Sequence, residues 1–323
     1  MGTEGGLPVV SVARPVLGGV TVPGATVRVR DGDTSREGLL DFVRGSSVVV
    51  TWVSERVDGQ LLDAAGPRLK GVCNYAVGTD NIDLGACRER GVVVTNTPDA
   101  VTEGTANMAW TLLLAVARRL VPADRFARSS EYAARGPLGP TEFVGVDLTG
   151  RTLLIVGAGR IGYATALRSI GWGMNVLYVA RRRHVEFELA PLAARRVELH
   201  DGLREADVVS VHTPLTPETR HIIDARAIAA MKGNAILVNT SRGPTVDETA
   251  LVRALQEKRI WGAGLDVFEN EPRVHPGLVG LDNCVLTPHI GSAEERYRRL
   301  MTEMVSENAA AILAGRKPPN QVA

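Results

Sequence analysis

Aromatic residues are scarce in this 323-residue chain, at 4%, which argues against a platform on which nucleic-acid bases stack. An excess of charge of one sign is also missing. The 37 Lys and Arg face 36 Asp and Glu, a net charge of +1, so there is no broad basic field for nucleic acid, although a local cluster remains possible. There are only three cysteines, Cys73, Cys87 and Cys284, and no pair has the spacing of a metal site or a redox motif. They read as reduced and structural, as in a cytosolic protein, and no metal is expected. Long hydrophobic runs are absent too. The longest, around residues 108–117, is too short to span a bilayer and ends in Arg118-Arg119. The start, MGTEGGLPVV, lacks the basic residues and apolar stretch of a secretory signal, and has no Ser or Thr at position 6 for myristoylation. A cytoplasmic protein with no membrane or nucleic-acid partner is the resulting expectation.

The length suggests two domains at roughly 150 residues each. Through the first ~100 residues, β-branched runs (VVSVAR, ATVRVR, SSVVVTW, LKGVCNY, GVVVTNT) alternate with helix-like pieces such as SREGLLDFVRG and DGQLLDAA. Such alternation predicts a parallel sheet with helices on both faces. A longer helix is expected over 105–120, then a Gly- and Pro-rich loop or excursion to a partner over 129–150. A second series begins at Thr152 with strands TLLIVG, MNVLYVA, ADVVSVH, NAILVN, WGAGLDV and NCVLT. Helices are expected over 161–169, 224–231 and 248–257, with Asp224 as an N-cap, and a last helix over 293–313. No repeat of 20–50 residues is visible.

The strand TLLIV runs into Gly157-Ala158-Gly159-Arg160-Ile161-Gly162 and then a helix. This is G-x-G-x-x-G in the strand–turn–helix context that dinucleotide binding requires. Its glycines allow backbone to approach a pyrophosphate, and the helix N-terminus supplies N–H donors. An NAD-binding chain usually carries an acid at the end of the next strand, for the ribose 2′-hydroxyl. Here Ala180 is followed by Arg181, Arg182 and Arg183. Arginines suit a 2′-phosphate, so NADP(H) is the expected preference, with NAD(H) possible; Arg181 and Arg182 lie closest to the strand end.

Three later segments each place polar groups just past a strand: NTSRGP with Arg242, LDVFENEP with Asp266, Glu269 and Glu271, and LTPHIGSA with His289. In open α/β sheets, ligands bind at such strand ends. An Arg, an acid and a His there suit hydride transfer to a carbonyl acid. Imidazole is the natural proton donor near neutrality, an adjacent carboxylate would orient it, and a guanidinium can grip a carboxylate and polarise a carbonyl.

These segments, together with NYAVGTDNID, VTNTPDAVTEGTA and LTPETRHII in order and spacing, resemble the D-isomer-specific 2-hydroxyacid dehydrogenases over nearly the whole chain, and within them the glyoxylate/hydroxypyruvate reductases. The resemblance implies an α/β protein of two Rossmann-like domains, one flavodoxin-like and one dinucleotide-binding, with parallel sheets and an interdomain cleft. Residues 1–100 plus 291–323 would form the substrate domain and 101–290 the dinucleotide-binding domain. It implies a catalytic Arg242, Glu271 and His289, with Glu269 a solvated neighbour. Substrate carboxylate would meet the N–H groups of Val77 and Gly78 as well as Arg242 and His289. Cofactor contacts would come from Thr105, the Gly157–Gly162 turn including Arg160 and Ile161, and Ala180, Arg181, Arg182, His212, Pro214, Thr219, Thr240 and Gly291. Asp266 would steady the nicotinamide amide. His184 and His200 read as surface residues, and Trp52 reads equally as pocket or packing. The implied substrate is a small 2-keto acid such as glyoxylate or hydroxypyruvate, and the implied assembly a homodimer.

Two features depart from the family pattern. The segment GPLGPTEFVGVDLTG has no Trp to reach a neighbouring subunit's substrate site, and Glu294 follows HIGSA where a small residue is usual. Phosphoglycerate dehydrogenase is disfavoured by the short C-terminus and by a TWVSER segment without a strongly basic look. Phosphite and formate dehydrogenases and the family's dinucleotide-sensing corepressors are the remaining alternatives.

Overall fold

The computed structural model describes residues 6–323; the reading of the first five residues falls outside them. The chain divides into two compact units, 1–101 with 292–323, and 102–291.

The first unit holds a five-stranded parallel sheet: β1 (Val9–Val12), β2 (Thr26–Val29), β3 (Val48–Thr51), β4 (Gly71–Asn74) and β5 (Val93–Thr95), in the order β2-β1-β3-β4-β5. This is the flavodoxin-like winding. Val49, Val72 and Val94 face one side, where they pack with Leu39 and Leu61 from the helices Arg36–Phe42 and Gly59–Ala65. Ser35 and Asp58 cap those helices by accepting the N–H groups of Gly38 and Leu61. The last helix, Glu295–Leu313, buries Met301, Val305, Ala309 and Ile312, as the 3.6-residue spacing predicts. Gly71 makes room for it: a Cβ there would lie 2.7 Å from Ile312 Cδ1.

The second unit holds a seven-stranded parallel sheet. Its strands are β6 (Thr152–Val156), β7 (Asn175–Val179), β8 (Arg195–Arg196), β9 (Val208–Val211), β10 (Ile236–Asn239), β11 (Gly262–Leu265) and β12 (Cys284–Leu286). Their order, β12-β11-β10-β9-β6-β7-β8, is the doubly wound dinucleotide-binding order extended by one strand. Successive residues point to opposite faces. Leu154, Val156, Val209, Val211 and Leu237 pack with Leu203, Ile228 and Leu251 on one side. Leu153, Ile155, Val208, Ile236 and Val238 pack with Leu112, Leu113 and Val116 on the other. Burial on both faces is why these strands read as unbroken apolar runs.

Some boundaries differ from the sequence reading. The long helix runs from Thr102 to Ala117, and the chain turns at Arg119, which has a left-handed backbone (φ 53°). Two further helices follow, Leu120–Ala127 and Ser130–Arg135, so the segment over 129–150 is not all loop. The short strand β8 and the helices Val185–Glu188 and Leu199–Glu205 were also unforeseen. Among the described residues no helix is long and apolar enough to cross a membrane.

Candidate active site

Because every strand of the second unit is parallel, all its strand ends face one edge of the sheet. Gly157 follows β6, Ala180 to Arg182 follow β7, His212 follows β9, Thr240 to Arg242 follow β10, Asp266 follows β11, and Thr287 to His289 follow β12. Residues scattered over more than 130 positions of sequence thus share that edge, with the glycine turn at the strand (β6) where the winding reverses.

The glycine turn fits a dinucleotide. Gly157 has φ +105°, and a Cβ on it would meet the His212 carbonyl carbon at 2.7 Å. A Cβ on Gly162 would lie 2.3 Å from the Gly157 oxygen, so the helix can sit close against its strand only with glycine there. Gly159 stands at the N-cap of the nine-residue helix Arg160–Arg168 with no side-chain cap, and a Cβ there would meet nothing within 4 Å. The space at Gly159, beside the helix N-terminus, is therefore open, as phosphate binding needs. The buried hydroxyls of Thr213 and Thr240 and His212 Nδ1 have no hydrogen-bond partner among the described residues. Such groups are costly unless a ligand or water engages them. His212 Nε2 bonds Ser210 Oγ at 2.8 Å, and burial pushes the imidazole down to about 3, so it stays neutral. Thr219 spends its hydroxyl on the Pro214 carbonyl (2.6 Å), which closes the 214–219 turn.

At the end of β7, Ala180 presents no carboxylate, and Arg181 and Arg182 are exposed. Arg183 is paired with Glu188 at 2.5 Å. A further arginine, Arg196 of β8, donates to the carbonyls of Ala180 (3.1 Å) and Arg181 (3.2 Å), adding a guanidinium that the linear sequence does not place there. His184 is at the surface but only partly exposed. Its side chain is 18% exposed, bonds Glu186 and packs edge-on against Tyr178 and Phe187.

The acid–base pair is formed. His289 Nδ1 and Glu271 Oε2 are 2.8 Å apart, which leaves Nε2 as the ring nitrogen available to a reactant. Burial opposes ionisation of Glu271. The hydrogen bond and charge of His289, the Phe268 N–H and the Arg242 guanidinium together outweigh it and hold the carboxyl below its ordinary value. Glu271 is therefore a carboxylate at neutral pH. His289 has a left-handed backbone, φ 56°, which costs about 1 kcal/mol for a residue with a Cβ. Asp266 holds it there. The Asp266 carbonyl accepts the His289 N–H at 2.8 Å, and its carboxylate accepts Thr287 Oγ1 (2.6 Å) and the N–H groups of Ile290 (2.9 Å) and Gly291 (2.7 Å). At 1% exposure this carboxyl is pushed up by burial, against those donors. Gly291 also lies beside Thr105, whose hydroxyl would be 3.5 Å from a Cβ there.

Arg242 follows β10 in extended backbone. Its carbonyl is tied by Asn239 Nδ2 (3.0 Å) and Thr245 Oγ1 (2.6 Å), and its Nη1 donates to the Ser241 carbonyl. Glu269 is not a solvated neighbour. Its side chain is 19% exposed and accepts from His221 Nε2 at 2.8 Å.

Val77 and Gly78 lie in the first unit, after β4. Asn96 and the buried Asn74 fix their carbonyls at 2.8 and 2.7 Å. Their own N–H groups donate to nothing among the described residues, as an anion-binding pair requires. Nearby in this unit, the Arg298 guanidinium lies 4.5 Å over the Trp52 ring, and the Tyr75 ring packs against Trp52 at a tilt of 44°. With Arg14, which is itself paired with the buried Glu55 at 2.6 Å, they line a cavity of about 270 Å³.

A doubly wound sheet with an uncapped glycine turn and an imidazole–carboxylate pair along one edge defines a nicotinamide-dinucleotide oxidoreductase domain. Residues 110–291 match the family model described as D-isomer specific 2-hydroxyacid dehydrogenase, NAD binding domain. The chain is 52% identical over 291 residues to a glyoxylate reductase of Thermococcus onnurineus, covering 90% of this chain and 86% of that protein. Among solved structures, the TT0316 protein from Thermus thermophilus is 42% identical with TM-score 0.90, covering 98% of this chain and 100% of that one. An NADPH-dependent glyoxylate/hydroxypyruvate reductase from Sinorhizobium meliloti, solved with NADP and malonate, is 32% identical with TM-score 0.82, covering 98% and 97%. The chain belongs to the D-isomer-specific 2-hydroxyacid dehydrogenase family and is an NAD(P)-dependent oxidoreductase.

Proposed function

We propose that this enzyme reduces a small 2-keto acid, glyoxylate or hydroxypyruvate, with NADPH, giving glycolate or D-glycerate. The observation that carries this reading is the 2.8 Å contact between His289 and Glu271, on the same strand-end edge as Arg242 and the glycine turn. When bound, the reduced nicotinamide supplies the hydride to the carbonyl carbon. His289 donates a proton from Nε2 to the carbonyl oxygen, and Glu271 stabilises the charged ring and fixes its orientation. Arg242 binds the substrate carboxylate and opposes negative charge growing on the carbonyl oxygen. The N–H groups of Val77 and Gly78 add carboxylate binding.

The preference for NADPH rests on Ala180 and on the exposed Arg181 and Arg182. A carboxylate at that strand end would repel a 2′-phosphate, whereas a guanidinium attracts it. The named activity of the Thermococcus onnurineus and Sinorhizobium meliloti relatives supports the substrate class. Exposed Leu120, Tyr132, Leu138 and Val144 in the 120–144 excursion support a homodimer.

The deciding experiment is kcat/KM for a panel of 2-keto acids, with NADPH and NADH, including 3-phosphohydroxypyruvate. Glyoxylate or hydroxypyruvate with NADPH should lead. Arg181→Ala should raise KM for NADPH about tenfold and leave NADH unchanged, the loss of one partly solvated charge-assisted contact. A wild-type preference for NADH would sink the cofactor assignment. Tight cofactor binding without turnover on any acid would point instead to a dinucleotide sensor.

A further inference from the structure

A second imidazole–carboxylate contact, His221 Nε2 to Glu269 Oε1 at 2.8 Å, ties together the two segments that carry Arg242 and Glu271. Glu269 lies two residues before Glu271 in the turn after β11. Its Oε1 also accepts the Glu248 N–H at 3.1 Å, while Glu248 Oε1 accepts the Glu269 N–H at 2.7 Å. The two segments are thus joined in both directions. Glu248 opens the helix Glu248–Gln256, close after the turn Gly243–Thr245 that follows Arg242. The His221 segment holds that same turn: the His221 N–H donates to the Pro244 carbonyl at 2.8 Å, and the Ile223 N–H to Thr245 at 3.1 Å. There is no slack between the segments, since a Cβ on Gly243 would lie 1.9 Å from the Phe268 carbonyl. Glu248 is 3% exposed, and burial pushes its carboxyl up. A carboxyl so placed is costly unless its bonds are made, which argues that these bonds are retained for what they hold.

We propose that Glu269, held by His221 and Glu248, is a positioning residue that sets the Arg242 and Glu271 segments in register so that Glu271 meets His289. The proposal rests on the catalytic reading of Arg242, Glu271 and His289. Without the Glu269 carboxylate, the turn bearing Glu271 keeps its local Asn270–Arg273 bridge and the bond from the Glu269 N–H to Glu248, but loses its ties to His221 and to the Glu248 N–H. Displacement of a catalytic group by about 1 Å can cost up to ~10²-fold in rate.

The test compares wild type with Glu269→Ala, Glu269→Gln and His221→Ala. It measures kcat, KM for the keto acid, cofactor Kd and the downfield proton of the His289–Glu271 bond in ¹⁵N-histidine-labelled protein, assigned by its loss in His289→Gln. Glu269→Ala should lower kcat about tenfold or more, move or broaden the ring-proton signal, and leave cofactor Kd within about twofold. Glu269→Gln, which keeps an acceptor for His221 and Glu248, should recover most of kcat. His221→Ala should show the same changes more weakly, and it decides the matter should Glu269→Ala not fold. Wild-type kcat and an unmoved ring proton in the folded variants, whatever their melting temperature, would overturn the proposal. The ring proton needs no substrate. A moved signal in a protein whose wild type turns over no keto acid would uphold the positioning role while refuting the proposed activity.

Discussion

Replacing Glu271 by glutamine isolates charge from shape at the acid–base pair. The carboxylate now serves two donors: Oε1 accepts the Phe268 N–H at 3.0 Å, and Oε2 accepts from His289 Nδ1 at 2.8 Å. A glutamine has one oxygen. If that oxygen keeps Phe268, its NH2 faces Nδ1 and forces the opposite ring tautomer; if it turns to His289, two donors confront each other at Phe268. In the first case the protonated ring loses its acceptor and in the second the Phe268 N–H does, a cost of about 1–3 kcal/mol. The charge effect is separate. Two unit charges roughly 4 Å apart attract by about 4 kcal/mol at an effective dielectric near 20. The partners are 33% and 26% exposed, so solvent screening reduces this to about 1–2 kcal/mol. Together the effects predict a loss of about 10²–10³-fold in kcat/KM at neutral pH, with tautomer error the larger part, as disruption of a histidine's orienting carboxylate does in serine proteases. The charge part has a pH dependence set by Glu271: its carboxyl is held below its ordinary value, so the wild-type enzyme keeps the carboxylate through neutral pH and loses it only toward acid, where its advantage over Glu271→Gln narrows. Initial rates of reduced-nicotinamide oxidation across the pH range read both effects. A Glu271→Gln enzyme with the wild-type profile and rate would refute the coupling of this pair.

Gly243→Ala should fail through backbone crowding. Its Cβ would lie 1.9 Å from the Phe268 carbonyl, so thermal melts should show a loss of about 3 kcal/mol or more, and unchanged stability would contradict the packing described. The cysteines offer a simpler check. Cys73 and Cys284 are buried, with thiols pushed up to about 12, and Cys87 to about 11. A thiol reagent should therefore titrate none of them rapidly in the native protein and all three after denaturation.

The strands were legible because burial on both faces demands continuous β-branched runs, and the glycine turn because its steric constraints admit no other residue at Gly157 and Gly162. The helix Leu120–Ala127 was not. It contains Pro122, and its apolar residues are not buried. Glu269 was misread for a different reason: its partner His221 lies 48 positions upstream, and only the fold brings them together. Arg196 was hidden in the same way, since its contact with the Ala180 carbonyl spans 16 positions. Asp266 could be assigned to the cofactor from its place in the motif. That it also fastens Thr287, Ile290 and Gly291, and so the backbone of His289, required three dimensions.

The central claim is that His289 hands the proton to the keto acid, and single-turnover NADPH oxidation by His289→Ala with glyoxylate tests it most directly. The account predicts a chemical step slowed by more than about 10²-fold with cofactor affinity nearly unchanged. A chemical step within a few fold of wild type would contradict it.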